Sequence, residues 1–490
     1  MVRHSPTARV IRNVALLLQP LVATACVQYQ RYEPAPLASR TSPATYAARS
    51  LDDREFARFL AAQGSPQPDS GLTPSALGLA ALYFRPDVAE TRALVRAARA
   101  GEITAGTRPF PNATAAVGRT ARPNEGNASP WALSISGGLT FETGGKREAR
   151  QVRARAITLG AVLRFGATAW QLAQEARQSA VAVLSADRDI TDVEAELSAL
   201  RTVLELVRAR YGEGRVSLAD VAQAETDVQS AAVALVQSRR TRTELRSKLA
   251  RALGVSLRAV ENASIREEPR SGCDAADSVG ADSTVRLASA ALRTRVEVGA
   301  ALADYAVAEA NLRLAVAQQY PDLSIGPGIA WDQGIGRWLL AVGSSAIPTN
   351  RNRGPIAEAE AQRAVRAARV TMVEDSIIAQ VDLALASCRD IRGETAATDS
   401  LVATTTERQR LTEAAYARGE IGQTEVAFAR LAVVRVNRTR RQALQHRQAA
   451  GAALEAAVGH WVTQPGIRWP DLLEPIDSIP QSRPPMENPE

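Results

Sequence analysis

The chain has 490 residues, 46% hydrophobic but only 4% aromatic and 23% charged, with a formal net charge of +7. Arg3, Arg9 and Arg12 fall in an acid-free start, which leaves +4 for the rest, a balance that calls for no nucleic-acid partner. No run reaches the ~18 apolar residues a spanning helix needs, so any passage through a membrane must be made by β-strands.

Residues 1–25 read as an export signal. A basic start is followed by Val14-Ala15-Leu16-Leu17-Leu18, and Ala23-Thr24-Ala25 precedes Cys26. Small residues before a cysteine resemble the lipobox of bacterial lipoproteins and make Cys26 a candidate acylated N-terminus in contact with outer-membrane lipid. Gln19 and Pro20 interrupt the apolar core, so an ordinary signal with a chance cysteine stays open. Residues 26–72 are polar and Pro-rich, a linker.

A first repeat spans 73–261. Thr73 can cap a helix with Pro74 in its first turn, running to Gly106 at the latest. Gly, Ser, Thr and aromatic residues then predict strands over 111–118 and 131–142, joined by a polar loop. No proline occurs between Pro130 and Pro269, and little else would stop a helix from Gly145 to Ala209. At 1.5 Å per residue, ~65 residues make a rod about 100 Å long, too long to be buried in one protomer.

The rod breaks at Tyr211-Gly212-Glu213-Gly214, and Ser217 can cap the next helix with Asp220 at its third position, giving a hairpin tip over 211–217. Leu218, Val221, Val228, Ala232 and Leu235 follow at coiled-coil spacing. The cluster Arg239, Arg240, Arg242, Arg246, Lys248 and Arg251 reads as a solvated helix face.

Residues 262–284 read as an inter-repeat linker, and the pattern starts again over 285–464. Strands are predicted over 321–330 and 337–347 and a tip over 416–422. Tyr416, Gly419, Glu425 and Gly459 follow Tyr211, Gly214, Asp220 and Gly254 at a constant offset of 205. Arg295 follows Arg85 at 210, so the chain is a duplication with small indels in its loops. A Pro-rich tail occupies 465–490. Each half reads helix, two strands, long helix, tip, long helix, a mainly α fold with a small β part.

Catalysis finds no support. His4, His446 and His460 form no triad or metal pair, Gly144-Gly145-Lys146 lacks the Walker spacing, and Cys26, Cys273 and Cys388 follow no zinc or disulfide pattern. Cys388 on a helix reads as core packing. No metal or cofactor site is expected.

Four strands cannot close a membrane barrel, because the smallest need about eight, but an oligomer can. Duplicated halves, Tyr320-Pro321-Asp322-Leu323 opening a strand, and paired Tyr-x-x-Gly tips together resemble the TolC-like outer-membrane efflux proteins over about residues 75–460. Glu142-Thr143-Gly144-Gly145-Lys146-Arg147 and Asn350-Arg351-Asn352-Arg353-Gly354-Pro355-Ile356 are most similar to the heavy-metal cation-efflux branch. Gly144-Gly145 and Gly354-Pro355 are expected to allow the change from strand to helix. Trp131, Trp331 and Trp338 are candidate membrane-interface aromatics, with buried packing as the alternative.

The resemblance implies a homotrimer with a twelve-stranded outer-membrane barrel and a periplasmic α-helical coiled-coil tunnel. It implies a passive exit duct fed by an inner-membrane resistance-nodulation-division pump through a periplasmic adaptor (membrane fusion) protein. Tyr211, Gly214, Tyr416 and Gly419 would mark the adaptor-facing tips. The family's inner acidic positions map onto Glu425 and, one turn on, onto Phe428, with Asp220 the first-half counterpart; these three are the candidate pore constriction. Two other readings stay open, a periplasmic coiled-coil adaptor or scaffold and the outer-membrane channel of a type I secretion system. Whether the exported substrate is a metal cation, a drug or a protein is left open.

Overall fold

A computed structural model of the chain describes residues 31–34, 42–64, 71–119, 130–267, 272–277, 283–332, 335–344 and 350–459. The expected leader with Cys26, the loop at 120–129 and the tail at 465–490 lie outside the described residues. The chain divides into units Met1–Tyr46 and Ala47–Glu490. A short helix α1 (Pro43–Ala47) falls at the boundary, opened by reciprocal bonds between Ser42 and Thr45.

The large unit begins with α2 (Arg54–Ala62), α3 (Pro74–Phe84) and α4 (Pro86–Gly106). The Thr73 hydroxyl accepts from the Ala76 amide at 3.2 Å, capping α3 as its sequence position predicts. The expected single helix is two, because Pro86 keeps Arg85 in the extended region at ψ 131°. Arg85 pairs with Asp87 across this break, at 2.9 Å. Arg295 repeats the arrangement with Glu297 (2.8 Å) between α9 (Ser283–Thr294) and α10 (Val296–Ala317). Each arginine also packs its stem on a left-handed glycine, Gly254 or Gly459, where a Cβ would crowd it. Those contacts explain why the arginines and glycines recur together.

The rods are α5 (Lys146–Gly212, 67 residues) and α11 (Arg353–Ala417, 65 residues). Each turns back into a 36-residue helix, α6 (Leu218–Leu253) or α12 (Gln423–Val458). Val221 is buried on the expected seam, with Val228, Ala232 and Leu235 packed beside Leu197, Val203 and Leu204 of α5. Leu218 is the exception and lies exposed. Much of the basic face of α6 is paired with α5, Arg239 with Glu194 (2.8 Å) and Arg246 with Asp187 (3.1 Å).

Strands β1 (Asn112–Arg119), β2 (Trp131–Phe141), β3 (Leu323–Asp332) and β4 (Ile335–Ser344) form one antiparallel sheet in the order β1-β2-β3-β4. Gly144 and Gly145 take positive φ (67° and 74°) at the first strand-to-helix handover, as expected. At the second, the positive φ falls on Arg351 (52°) and Asn352 (56°), not on Gly354-Pro355, which lies inside the first turn of α11. The Asn352 side-chain amide donates to the Ala315 carbonyl of α10 at 2.7 Å, a contact from another element that holds the asparagine in its left-handed conformation. Asp322 accepts from the Thr143 amide (3.1 Å) and Lys146 Nζ (2.7 Å), so the Tyr-Pro-Asp turn of one repeat anchors the handover of the other.

The cysteine expectation needs correction. Cys388 is buried, as core packing requires, but it is bonded to Cys273 in α8 (Gly272–Asp277). The stretch 262–284 therefore contains a docked helix, and α7 (Leu257–Asn262) precedes it. Toward the tips, α6 packs on α5, α5 on α12 and α12 on α11. Nearer the sheet, α4 packs on α5, α5 on α10 and α10 on α11. Among the described residues α6 and α11 share no packed interface, so the helices form an open arc, like the sheet above them.

Candidate membrane face and tunnel tip

Side chains alternate faces along a strand, so the pairing register decides what each side of the sheet presents. Trp131, Leu133, Ile135, Leu139 and Phe141 of β2 share one face. They stand beside Val117 of β1 and Leu323, Ile325, Ile329 and Trp331 of β3. Trp338, Leu340 and Val342 of β4 continue the same row. The other face carries Thr114, Ser134, Ser136, Gly138, Thr140, Ser324, Gly326 and Gly328, with Thr114 and Ser136 hydroxyls 2.7 Å apart. Most of the sheet's hydroxyls thus lie on this second side, which in β4 also carries Ile335, Arg337 and Leu339, while Ala113, Ala115 and Gly137 interrupt the apolar row.

The apolar face is uncovered. Trp131 is 55% exposed, Trp338 86% and Leu340 69%, so Trp131 and Trp338 are not packing residues within the protomer, whereas Trp331 is partly buried beside Gly336. Trp131, Trp331 and Trp338 lie toward the hairpin loops, where the Arg119 guanidinium stacks 5.9 Å over Trp131. At the opposite end, beside the helices, Phe110, Phe141 and Tyr320 are also exposed. Ten residues at ~3.3 Å, tilted ~45°, rise about 23 Å, close to the ~25 Å apolar band of barrel proteins flanked by aromatic girdles. Among the described residues no helix is long and apolar enough to cross a membrane.

At the far end of the rods the two tips share one design. The Gly214 amide donates to Tyr211 O (2.9 Å) and the Arg215 amide to Arg210 O (2.9 Å), a Schellman closure that needs the φ of +72° at Gly214. Gly419 and Glu420 repeat it onto Tyr416 and Ala415. Tyr211 and Tyr416 are each about half exposed beside these turns. The Ser217 and Asp220 side chains form the full capping box, and that bonding holds the Asp220 carboxyl below its ordinary range.

The structure gathers the three constriction candidates around one cleft of ≈ 250 Å³ between α5, α6 and α12. Asp220 and Phe428 line it with Leu200, Val203, Val207 and Arg210. Glu425 sits at its edge, bonded to Arg210 Nη1 at 3.0 Å. Its own backbone amide and then Arg210, working against partial burial, hold the Glu425 carboxyl below the ordinary 4.5. Phe428 remains 51% exposed. Sequence reasoning missed Arg210 because it belongs to the other repeat. The available signal was asymmetry, since the matching position in the second tip is Ala415.

Residues 79–255 match the family model described as outer membrane efflux protein. No curated protein sequence matches the chain. Among solved structures, the outer membrane protein VceC of Vibrio cholerae superposes with a TM-score of 0.63 at 18% identity, covering 79% of this chain and 96% of its own. The CmeC outer membrane channel of Campylobacter jejuni gives 0.61 at 12% identity, covering 88% and 94%. The open state of the MtrE outer membrane channel of Neisseria gonorrhoeae gives 0.55 at 18% identity, covering 79% and 89%. The efflux-protein resemblance holds in sequence over the first repeat and in fold over both. Neither points to an enzyme.

Proposed function

Taking the chain as an outer-membrane efflux protein, we propose that three copies close into one twelve-stranded barrel over a helical tunnel and form a passive exit duct. The observation that carries this reading is the sheet, with a bare apolar row across one face, most of its hydroxyls on the other and, among the described residues, β1 and β4 unpaired at its edges. Open edges in hydrocarbon leave backbone groups unsatisfied at several kcal/mol each, and only closure removes them. The arc of helices has matching free edges at α6 and α11.

Substrates, metal cations or drugs, reach the duct from an inner-membrane pump of the resistance-nodulation-division type through a periplasmic adaptor that meets the tips at Tyr211 and Tyr416. Glu425 and Phe428 narrow the mouth, while Asp220 serves chiefly as a helix cap. Cys26, acylated after export, tethers the assembly to the inner leaflet, adding to the anchorage the barrel supplies. Fractionation followed by native mass spectrometry in detergent tests the reading. A trimer in the outer-membrane fraction is expected. Recovery as a soluble periplasmic species would favour the adaptor or scaffold reading instead, and a stable monomer in the membrane would refute closure by three.

A further inference from the structure

Near the equator of the molecule, where the repeats meet, Arg177 of α5 and Glu455 of α12 form an ion pair that is almost wholly shielded from water. A buried pair of this kind holds only while its surroundings stay dry and geometrically fixed, since losing that geometry leaves charges uncompensated. Helix α8 lies on it. Gly272 approaches so closely that a Cβ there would collide with the Gly451 carbonyl oxygen and lie 3.0 Å from Glu455 Cγ. The next residue, Cys273, is bonded to Cys388 of α11, and Asp274 pairs with Arg447 of α12. Three consecutive residues of a short helix are therefore fixed, by close backbone contact, covalent bond and ion pair, to both helices of the second hairpin.

The two repeats differ in what supports them at this level. The first-repeat core draws Phe56 and Phe59 from α2, which stack with Tyr83 and Phe84, together with Phe165 and Trp170 of α5. The second-repeat core contains Ile377, Val381, Leu385, Leu454 and Val458, and among the described residues no aromatic. The first repeat ties α2 to α3 through aromatic rings, whereas the second ties α8 to α11 through the disulfide.

We propose that α8 is a covalently fixed strap that braces α11 against α12 and seals the Arg177–Glu455 pair joining the two repeats. Both sulfurs are buried, so the strap is permanent in the folded protein and opens only if α8 lifts. Six residues cannot remain helical on their own, and the strap needs its attachments.

Hydrogen exchange on the full chain, purified in detergent, tests this. Non-reducing digestion should first yield a peptide linking Cys273 to Cys388. In Cys273→Ala, amides of 272–277 should exchange at least tenfold faster, and those of 451–458 and 174–180 should follow. Amides at 205–220 should not change. Gly272→Val, with both cysteines retained, should give the same pattern by pushing α8 off Gly451, and should lower the oxidised fraction. If Cys273→Ala does not assemble, wild-type protein reduced by dithiothreitol and alkylated in mild denaturant, then returned to buffer, provides the comparison. In that reaction the dithiol supplies two electrons and two protons and closes to its own disulfide. Absence of the linked peptide overturns the proposal. So does unchanged protection at 451–458 once the bond is lost or α8 displaced, because α8 would then seal nothing.

Discussion

Glu425 and Asp220 occupy matching positions in the two repeats, but their surroundings give them different work. Asp220 is spent on Ser217, whereas Glu425 reaches across to Arg210 and so links the repeats at the tip. Ser217→Ala should cost about 1 kcal/mol, read as lost exchange protection in the first turn of α6, with conductance unaltered. Glu425→Ala and Phe428→Ala should both change single-channel behaviour in planar bilayers, the first by weakening cation selectivity, the second by raising conductance as a half-exposed ring leaves the mouth. If neither moves, the aperture lies elsewhere. The pH dependence has a defined sign. A carboxyl whose folded value is depressed contributes its contact fully above the ordinary 4.5 and loses it as pH falls through the lower folded value. Conductance at the tip should therefore be flat through neutrality and shift only in acid, below about pH 4.5, and Glu425→Gln should abolish that shift.

At the scale of elements, the disulfide closes a sequence separation of 115 residues, and its removal should lower stability by about 2–5 kcal/mol, measured as a shift in the denaturation midpoint of Cys273→Ala/Cys388→Ala. Nothing near either cysteine announces the bond. Local reading finds disulfides by dense regular spacing, and two isolated cysteines in different elements offer none. The same limit explains what else was legible. The capping box at Ser217, the cap at Thr73 and the Tyr-x-x-Gly tips depend on residues within one turn, and they stand where the sequence puts them. The handover at Arg351-Asn352 was misplaced onto Gly354-Pro355, because the residue that rescues it, Ala315, is distant in the chain. The strand register was hidden for a related reason. Ala113, Ala115, Gly137 and Gly336 interrupt the apolar row within the strands, and its continuity emerges only when β2 is paired with β3 of the other repeat. Arg210 escaped notice on the same account.

At the scale of the molecule, the duplication gives two hairpins and two strand pairs that join side by side without closing, so every layer ends in a free edge. On the proposed closure by further copies, one continuous surface meets lipid and another the lumen, and the register makes the apolar row the expected lipid side. Ile135 lies on the apolar face, paired with Ala115 and Ile329; its neighbour Ser136 lies on the polar face, paired with Thr114 and Gly328. The two positions are adjacent in sequence, near mid-strand, and share backbone environment, so a charge placed at either tests the face alone. Ile135→Arg puts a guanidinium into hydrocarbon, at about 2–4 kcal/mol per site near the midplane, and three sites per assembly multiply the penalty. On the same reading, Ser136→Arg directs that group to the luminal side, where it should permit assembly and reduce cation conductance instead. The expected result is loss of outer-membrane trimer for Ile135→Arg alone. Equal tolerance of both would mean that the apolar face does not meet lipid, and the sheet would need another partner to cover it. Loss with Ser136→Arg but not Ile135→Arg would reverse the sheet, turning its small polar face outward.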